Sequence, residues 1–357
     1  MSGYLYKEFI DYVYNNPLII LIYSLLLSFI TLYINKKQIK PILYLIVFSI
    51  IIALESCLYT NNLLYFIIGI ETYNILFILL LYNTCKECVK KVLLLSMIIS
   101  SIMLFGTTLV LLDNNSFHFN SINMYSKITI LGLSFVLIGI LFKLCVFPFH
   151  IWILDVYKKS PYYIVLLIDC FFKLILLRAL LEFITNLPIT SFNNIFAVLG
   201  TISIFIGMIL SIRENNIKRF LGLFNISHIG LILLLISTNN INNYITVFGY
   251  LLMYSTCSLF FLLSTKDNIE NFIELPSNRE LPINNRLAHR NISMLSLIAM
   301  LCIPPFHTFL SKVDLILITL KDNRYILLLL IIMYFILEIV VILMKLRFYI
   351  KNTKSYT

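Results

Sequence analysis

The stretch 141-LFKLCVFPFHIW-152 stands at the end of a long apolar run, and it decides how the chain folds. The run from residue 127 to residue 147 is long enough to cross a hydrocarbon core of ~30 Å as a helix. Lys143 places an ammonium group inside that run, and Pro148 removes a backbone N–H donor shortly behind it. A charged group at membrane depth pairs, reaches the interface or lines a wet cavity. We therefore interpret Lys143 as a functional residue beside a broken helix.

The composition of the whole chain also indicates a membrane protein. Of 357 residues, 60% are hydrophobic and 12% are charged, against roughly 25% charged residues in soluble domains. A soluble fold of about 300 residues buries only about 75% of its surface, so it could not hide this much apolar area. We predict an all-α integral membrane protein with about eleven transmembrane helices. The predicted spans are 17–34, 41–60, 63–82, 90–112, 127–147, 161–184, 193–212, 217–238, 243–264, 291–320 and 325–346.

The basic residues in the loops and at the ends of these spans lie mostly on one side of the predicted membrane. Counting alternate loops places 19 Lys and Arg residues on one side and 4 on the other. The rich side includes the long loop 265–290 and the C-terminal tail 347–357, and it faces the cytoplasm or the mitochondrial matrix by the positive-inside rule. We expect an N-terminal tail over 1–16 on the opposite side and one transmembrane domain over 17–346.

Motifs for redox or nucleotide chemistry are missing from the sequence. It contains no G-x-G-x-x-G, no Walker loop and no metal-spaced Cys/His cluster. The seven cysteines read as reduced thiols, including the pair Cys85 and Cys88 in a predicted loop. We expect neither a metal nor a redox cofactor on this chain. The preference for Phe, Tyr, Ile, Asn and Lys over Ala, Gly and Trp suggests an A/T-rich gene, as in an organelle genome.

Titratable side chains recur inside the predicted spans. A series of such sites on different helices fits a proton relay, although buried ion pairs that fix helix register would explain any single pair. Lysine suits a relay because its protonation responds to its neighbours, whereas arginine stays protonated. His228 lies half-way along its span and titrates near neutrality. The other candidates are Glu71, Lys143, Lys173 and Lys312, with Asp169 and Glu338 as possible modulators.

Two spans carry prolines near these charges. Pro148 follows Lys143 by five residues, and Pro304 and Pro305 precede Lys312 within 303-IPPF-306. Broken helices at membrane depth are tolerated where they line a cavity, and paired breaks are typical of transport proteins. We therefore expect two proline-broken helices.

Four stretches resemble subunit 2 of respiratory complex I, the NADH:ubiquinone oxidoreductase. The stretch 142-FKLCVFPFHIWILDVYKKSP-161 is similar to the family signature F-K-L-G-x-x-P-F-H-x-W-x-P-D-V-Y-x-G-x-P. The stretch 69-GIETYN-74 is similar to its glutamate helix, 215-NNIKRFLGLFNISHIGLILL-234 to N-x-K-R-x-L-A-Y-S-S-I-x-H-x-G, and 303-IPPFHTFLSKVDLI-316 to G-x-P-P-x-x-G-F-x-x-K. The four stretches occur in order across roughly residues 40–345.

The resemblance implies an antiporter-like fold that pumps protons, and it assigns a role to each group. Glu71 and Lys143 would form the input pair, Lys173 the central relay and Lys312 the exit lysine, with His228 between the last two. The chain departs from the family where Leu154 replaces proline, where Cys145 replaces glycine, and where Asp169 stands one turn before Lys173. Asp169 would hold Lys173 protonated more firmly.

The resemblance also implies the partners and the location. The chain would be a mitochondrially encoded subunit of the inner membrane, with its N-terminus in the intermembrane space and its C-terminus in the matrix. Its partners would be other membrane subunits of the complex and lipids such as cardiolipin, and not nucleic acid. NADH, FMN, iron–sulfur clusters and ubiquinone would be bound elsewhere in the complex. The alternatives are a non-conducting structural subunit and a cation/proton antiporter.

Overall fold

A computed structural model describes residues 41–57, 60–123, 126–187, 192–238, 241–265, 294–300, 307–321 and 324–354. This part of the chain is helical with short connections and contains no strand; a single bridge joins Asn62 to His118. The described residues fall into two compact units, one up to Phe192 and one from Asn193 onward. Each unit is described by itself below.

The described residues of the first unit, 41–57, 60–123, 126–187 and 192, form seven α-helices and one π-helical turn. They are α1 (Pro41–Ser56), α2 (Leu63–Tyr82), α3 (Lys86–Asn114), α4 (Lys127–Lys143), α5 (Ile151–Lys159), α6 (Tyr162–Leu167), the π-helical turn Ile168–Phe172 and α7 (Lys173–Asn186). Because α6, the π turn and α7 follow one another without a break, they form one long helix from residue 162 to residue 186. A short 3-10 helix, Phe119–Ser121, lies between α3 and α4.

The second unit holds the remaining helices. They are α8 (Asn193–Arg213), α9 (Ile217–Ile236), α10 (Ile241–Thr265), a helical segment at 294–300, α11 (His307–Lys321) and α12 (Tyr325–Lys354). Six helices of the described chain are long and apolar enough to cross a membrane, namely α2, α3, α8, α9, α10 and α12. The window of α9 is 94% buried, whereas that of α12 is only 28% buried. Therefore α9 is a core helix, and α12 exposes an apolar face suited to lipid.

The helices agree with the hydropathy pattern where the structure describes it. Within the described residues, each predicted span from 41–60 onward overlaps a helix or a run of helices, although the helix in 127–147 ends at Lys143 and the span 291–320 is described only at 294–300 and 307–320. The predicted span 17–34, nearly all of the loop 265–290, and Pro304 and Pro305 lie outside the described residues. Helix α12 continues to Lys354, so the predicted tail at 347–357 begins inside a helix. The division into one transmembrane domain stays a prediction.

Glycines allow close contact between two pairs of antiparallel helices. A Cβ atom on Gly106 of α3 would lie 2.5 Å from the carbonyl oxygen of Gly132 on α4. A Cβ atom on Gly200 of α8 would lie 2.7 Å from the carbonyl oxygen of Gly230 on α9. Since backbone cannot move aside as a side chain can, only glycine fits at these crossings. Small residues at such contacts are typical of helix packing in membranes.

The chain turns between α4 and α5, where the sequence predicted a break. Helix α4 ends at Lys143, residues 144–150 form turns, and α5 begins at Ile151. Pro148 lies within this turn, and Cys145 has a φ of 61°. That left-handed conformation favours glycine. It gives a physical reason why the resembling family prefers glycine at position 145.

Candidate proton-transfer sites

The first unit contains a buried group of three polar side chains, here called the Lys173 cluster, which consists of Lys173, Tyr157 and Asp169. The Lys173 ammonium donates to the hydroxyl of Tyr157 at 2.9 Å and lies 3.4 Å from Oδ1 of Asp169. The Tyr157 hydroxyl donates to the same Oδ1 at 3.0 Å. All three residues are buried. The predicted modulator Asp169 is therefore an ion-pair partner of Lys173, and Tyr157 bridges the pair.

The π-helical turn Ile168–Phe172 brings Asp169 and Lys173 to this position. Asp169 lies within the turn, and Lys173 begins α7 directly after it. A π turn closes its hydrogen bonds over five residues instead of four, and such turns are often found at functional sites. The sequence predicted a shared helix face from the i,i+4 spacing, and the 3.4 Å contact is consistent with that expectation.

No salt bridge joins Glu71 to Lys143 in the described part of the chain. Glu71, on α2, accepts a hydrogen bond from the Asn74 side chain at 3.3 Å, and its Oε1 is buried without a hydrogen-bond partner in the described chain. Lys143 is buried at the last position of α4. The two charges are close enough to interact electrostatically. Their role as an input pair stays a prediction.

Cys145 lies near two buried lysines of the first unit, Lys143 and Lys173. Its thiol donates to the backbone carbonyl of Lys143 at 3.5 Å, and it is within electrostatic range of Lys143 and Lys173. The residue is buried. The turn at Cys145 therefore brings the end of α4 within electrostatic range of Lys173.

The second unit contains a separate group of five residues, here called the Lys312 cluster. Lys312 on α11 forms an ion pair with Oε2 of Glu338 on α12. Oε1 of Glu338 lies 4.0 Å from Nε2 of His228 on α9. Nδ1 of His228 lies 2.5 Å from the hydroxyl of Tyr250 and 2.8 Å from that of Tyr334. All five side chains are buried.

Aromatic rings enclose this cluster. The Tyr254 ring lies against the His228 imidazole with centroids 3.8 Å apart, and Phe224 meets it edge-on at 4.7 Å. The Lys312 ammonium lies 4.7 Å from the centroid of the Phe335 ring. Apolar surroundings strengthen electrostatic interactions and make an unpaired charge costly.

Two cations anchor α12, one near each end of its membrane stretch. Arg324 donates to the carbonyl oxygens of Ser237 at 3.1 Å and Thr238 at 3.3 Å, just after the end of α9. Lys345 donates to the carbonyl oxygens of Ile212, at 3.0 Å, and Glu214, at the end of α8. Cations suit helix C-termini, where carbonyls lack partners. Glu338 lies between the two anchors, so they fix its height along the bundle.

Sequence reasoning found the charged members of both clusters and missed the tyrosines. Tyrosine is common in this chain, with 22 residues, and it is uncharged. A tyrosine in or next to an apolar span therefore does not indicate a functional site, as was the case for Tyr157, Tyr250 and Tyr334. Two signals were available. Tyr157 belongs to the quoted D-V-Y stretch. Tyr334 precedes Glu338 by four residues, and this spacing places Tyr334 and Glu338 on the same helix face.

The described residues hold no group of three His, Cys, Asp or Glu side chains that could bind a metal ion. Each cluster contains an acid, an amine and at least one phenol within or near hydrogen-bond distance, and the Lys312 cluster also contains the imidazole of His228. These are groups that exchange protons. The residue types of both clusters are therefore suited to proton transfer.

Comparison with known proteins supports the same class. Residues 60–337 match the family described as NADH:quinone oxidoreductase/Mrp antiporter, TM, which is more than half of the chain. The chain belongs to this family. It is 28% identical over 320 residues to NADH-quinone oxidoreductase subunit N of Pelagibacter ubique, covering 85% of this chain and 67% of that protein. It is 28% identical over 263 residues to the chloroplastic NAD(P)H-quinone oxidoreductase subunit 2 of Mesostigma viride, covering 67% and 52%.

A solved structure shares the family fold. A chain of respiratory complex I from Thermus thermophilus with bound aureothin superimposes with a TM-score of 0.75 at 19% identity, covering 91% of this chain and 75% of that one. The chain is thus a multi-pass, all-helical membrane protein with an antiporter-like fold. It spans between about half and two thirds of the length of the two curated relatives named here.

Proposed function

We propose that the chain is the antiporter-like, proton-translocating membrane subunit of a respiratory NADH:quinone oxidoreductase, corresponding to subunit 2 or N. The observation that carries the proposal is the buried Lys173, hydrogen-bonded to Tyr157 and ion-paired with Asp169 inside a membrane helix bundle. An ionisable side chain inside the bilayer carries a high free-energy cost, and such residues usually mark ion pathways. The family match and the names of the relatives support the same assignment.

In this proposal protons pass along side chains of both units. Glu71 and Lys143 admit the proton, Lys173 holds it centrally, and His228 and Lys312 release it. Because each charge moved against 100 mV requires about 2.3 kcal/mol, the energy must come from a neighbouring subunit. Asp169 and Glu338 modulate the lysines that they pair with.

The electron-transfer chemistry belongs to other subunits in this proposal. NADH, FMN, iron–sulfur clusters and ubiquinone are bound elsewhere, and this chain binds no cofactor of its own. Its partners are other membrane subunits and lipids such as cardiolipin, which would cover the exposed apolar face of α12. Nucleic acid is not among these partners, because the basic residues behind the net charge of +10 flank membrane spans.

We also propose a mitochondrial inner-membrane location with the N-terminus in the intermembrane space and the C-terminus in the matrix. The split of 19 and 4 basic residues supports this orientation. The residue choice supports an A/T-rich organelle gene. The base composition of the gene tests the origin, and a G/C-rich reading frame would contradict it.

The test of the function is Lys173→Met in the assembled complex. The variant keeps most of the side-chain volume and removes the proton carrier. We expect fewer protons pumped per NADH oxidised, with assembly intact. Lys91→Met is the matched control, since Lys91 is 66% exposed and pairs with Asp155 at the surface. Surface pairs of this kind contribute little, so pumping should not change.

Two other outcomes would support the alternatives. Unchanged pumping by an assembled Lys173→Met complex would favour a non-conducting structural subunit. Cation/proton exchange by the purified chain alone would favour a free-standing antiporter, to which the Mrp part of the family description points.

A further inference from the structure

Glu338 divides its two carboxylate oxygens between two different nitrogen bases. Oε2 pairs with the Lys312 ammonium, and Oε1 lies 4.0 Å from Nε2 of His228. Glu338 is 0% exposed, and Oε1 has no hydrogen-bond partner within the described residues. A buried ion pair is favourable only when its remaining lone pairs are satisfied. The position of Oε1 therefore calls for an explanation beyond the pair with Lys312.

His228 is held so that Nε2 faces this oxygen. The hydroxyls of Tyr250 and Tyr334 both lie within hydrogen-bond distance of Nδ1, and the Tyr334 hydroxyl also lies 3.5 Å from Nε2. A phenol can donate to a neutral imidazole nitrogen or accept from an imidazolium N–H. Therefore His228 keeps a partner at Nδ1 in either protonation state. The ring of Tyr254 packs against the imidazole at an interplanar angle of 36° and limits its rotation.

Resting on the function proposed above, we propose that Glu338 is itself a proton carrier, which passes one proton between His228 and Lys312. The N–H bond at Nε2 of the imidazolium breaks as an O–H bond forms at Oε1. The neutral carboxyl group turns, and the O–H bond breaks as an N–H bond forms on the neutral amine of Lys312. A carboxylate and an ammonium remain, the total charge is unchanged at each step, and the reverse transfer follows the same path.

The alternative is that Glu338 only pairs with Lys312 and fixes the position of α12. The anchors at Arg324 and Lys345 already hold this helix by hydrogen bonds to α9 and α8. A purely structural pair would not explain why Oε1 lies towards His228. Proton exchange accounts for both oxygens.

The first test compares Glu338→Gln with Lys312→Met in the assembled complex in inside-out vesicles. Glutamine keeps the shape of Glu338 and carries no exchangeable carboxyl proton. We expect both variants to lower the number of protons pumped per NADH by the same amount, and the double variant to lower it no further. Residues that act as one unit are non-additive in this way. Glu182→Gln is the matched control, because Glu182 pairs with Arg178 and is not a member of either cluster.

The outcomes separate the two proposals. If Lys312→Met leaves pumping unchanged in an assembled complex, Lys312 is not a proton carrier and the proposed function is contradicted at this residue. If Lys312→Met lowers pumping and Glu338→Gln does not, the function stands and the role of Glu338 is overturned.

A second measurement covers the case in which Glu338→Gln does not assemble. Infrared difference spectra of the unmodified complex during turnover should contain a carboxylic-acid C=O band. That band should shift in Glu338→Asp, which keeps an acid at the position. A spectrum with no carboxyl band that responds to this change would overturn the proposal, because a permanently ionised structural partner gives none.

Discussion

Replacing Lys345 by Met should loosen the carboxyl end of α8 while leaving the rest of the bundle folded. The Lys345 ammonium is buried and donates to the carbonyl oxygens of Ile212 and Glu214. Methionine fills a similar volume but offers these oxygens no donor. The last turn of α8 would then lose its only described side-chain cap from α12.

The size of the effect follows from the two hydrogen bonds. Bonds to charged groups contribute about 1.5–3 kcal/mol each. Part of this is offset, because the ammonium no longer has to be removed from water. A partly buried cation at a helix C-terminus stabilises by up to about 2 kcal/mol, and we take that value for Lys345. At 1.4 kcal/mol per factor of ten, local opening should become about thirtyfold more frequent.

Hydrogen exchange measured by mass spectrometry tests this value. Peptides covering residues 205–216 should exchange about thirtyfold faster in Lys345→Met, whereas peptides from 127–143 should be unchanged. Lys345→Arg keeps a cationic donor and should restore slow exchange. Unchanged exchange at the end of α8, or equal acceleration of both sets of peptides, would refute the reasoning.

Two further predictions concern the first unit. Tyr157→Phe removes the hydroxyl that bridges Lys173 and Asp169, and with it about 1.5–3 kcal/mol of hydrogen bonding. We expect fewer protons pumped per NADH oxidised. An unchanged ratio would contradict a role for the hydroxyl. Cys145→Gly and Cys145→Ala both remove the thiol, but only glycine relieves the left-handed backbone, by about 1–2 kcal/mol. The glycine variant should have the higher thermal midpoint, by about 2–4 °C per kcal/mol, and equal midpoints would count against strain at this turn.

The helices could be predicted because the membrane imposes a simple rule. A span must bury its backbone polar groups internally and present about 20 apolar residues, so hydropathy alone places α2, α8, α9 and α10 to within a few residues. The boundaries of α3 and α12 are less well predicted, since both helices continue past the apolar stretch into charged sequence. Charge at an interface ends the hydrophobic pattern without ending the helix.

The contacts within the clusters could not be predicted in the same way. Lys312 and Glu338 are 26 residues apart, and His228 and Tyr334 are 106 apart, so only tertiary packing brings them together. The predicted pair of Glu71 and Lys143 rested on a resemblance, and the described chain shows electrostatic proximity without a direct ion pair. Sequence identified which groups are ionisable, and packing decides which of them meet.

The π-helical turn before Lys173 makes the length of this segment as important as its composition. Each residue of an α-helix turns the chain by about 100°. A chain with one residue fewer between Ile168 and Phe172 would keep the same apolar span and the same hydropathy profile. It would also rotate α7 by about that angle and carry the Lys173 ammonium away from Tyr157. A comparison of related chains in this region should therefore count residues before it compares their types, because one deletion can disconnect a lysine that is still present.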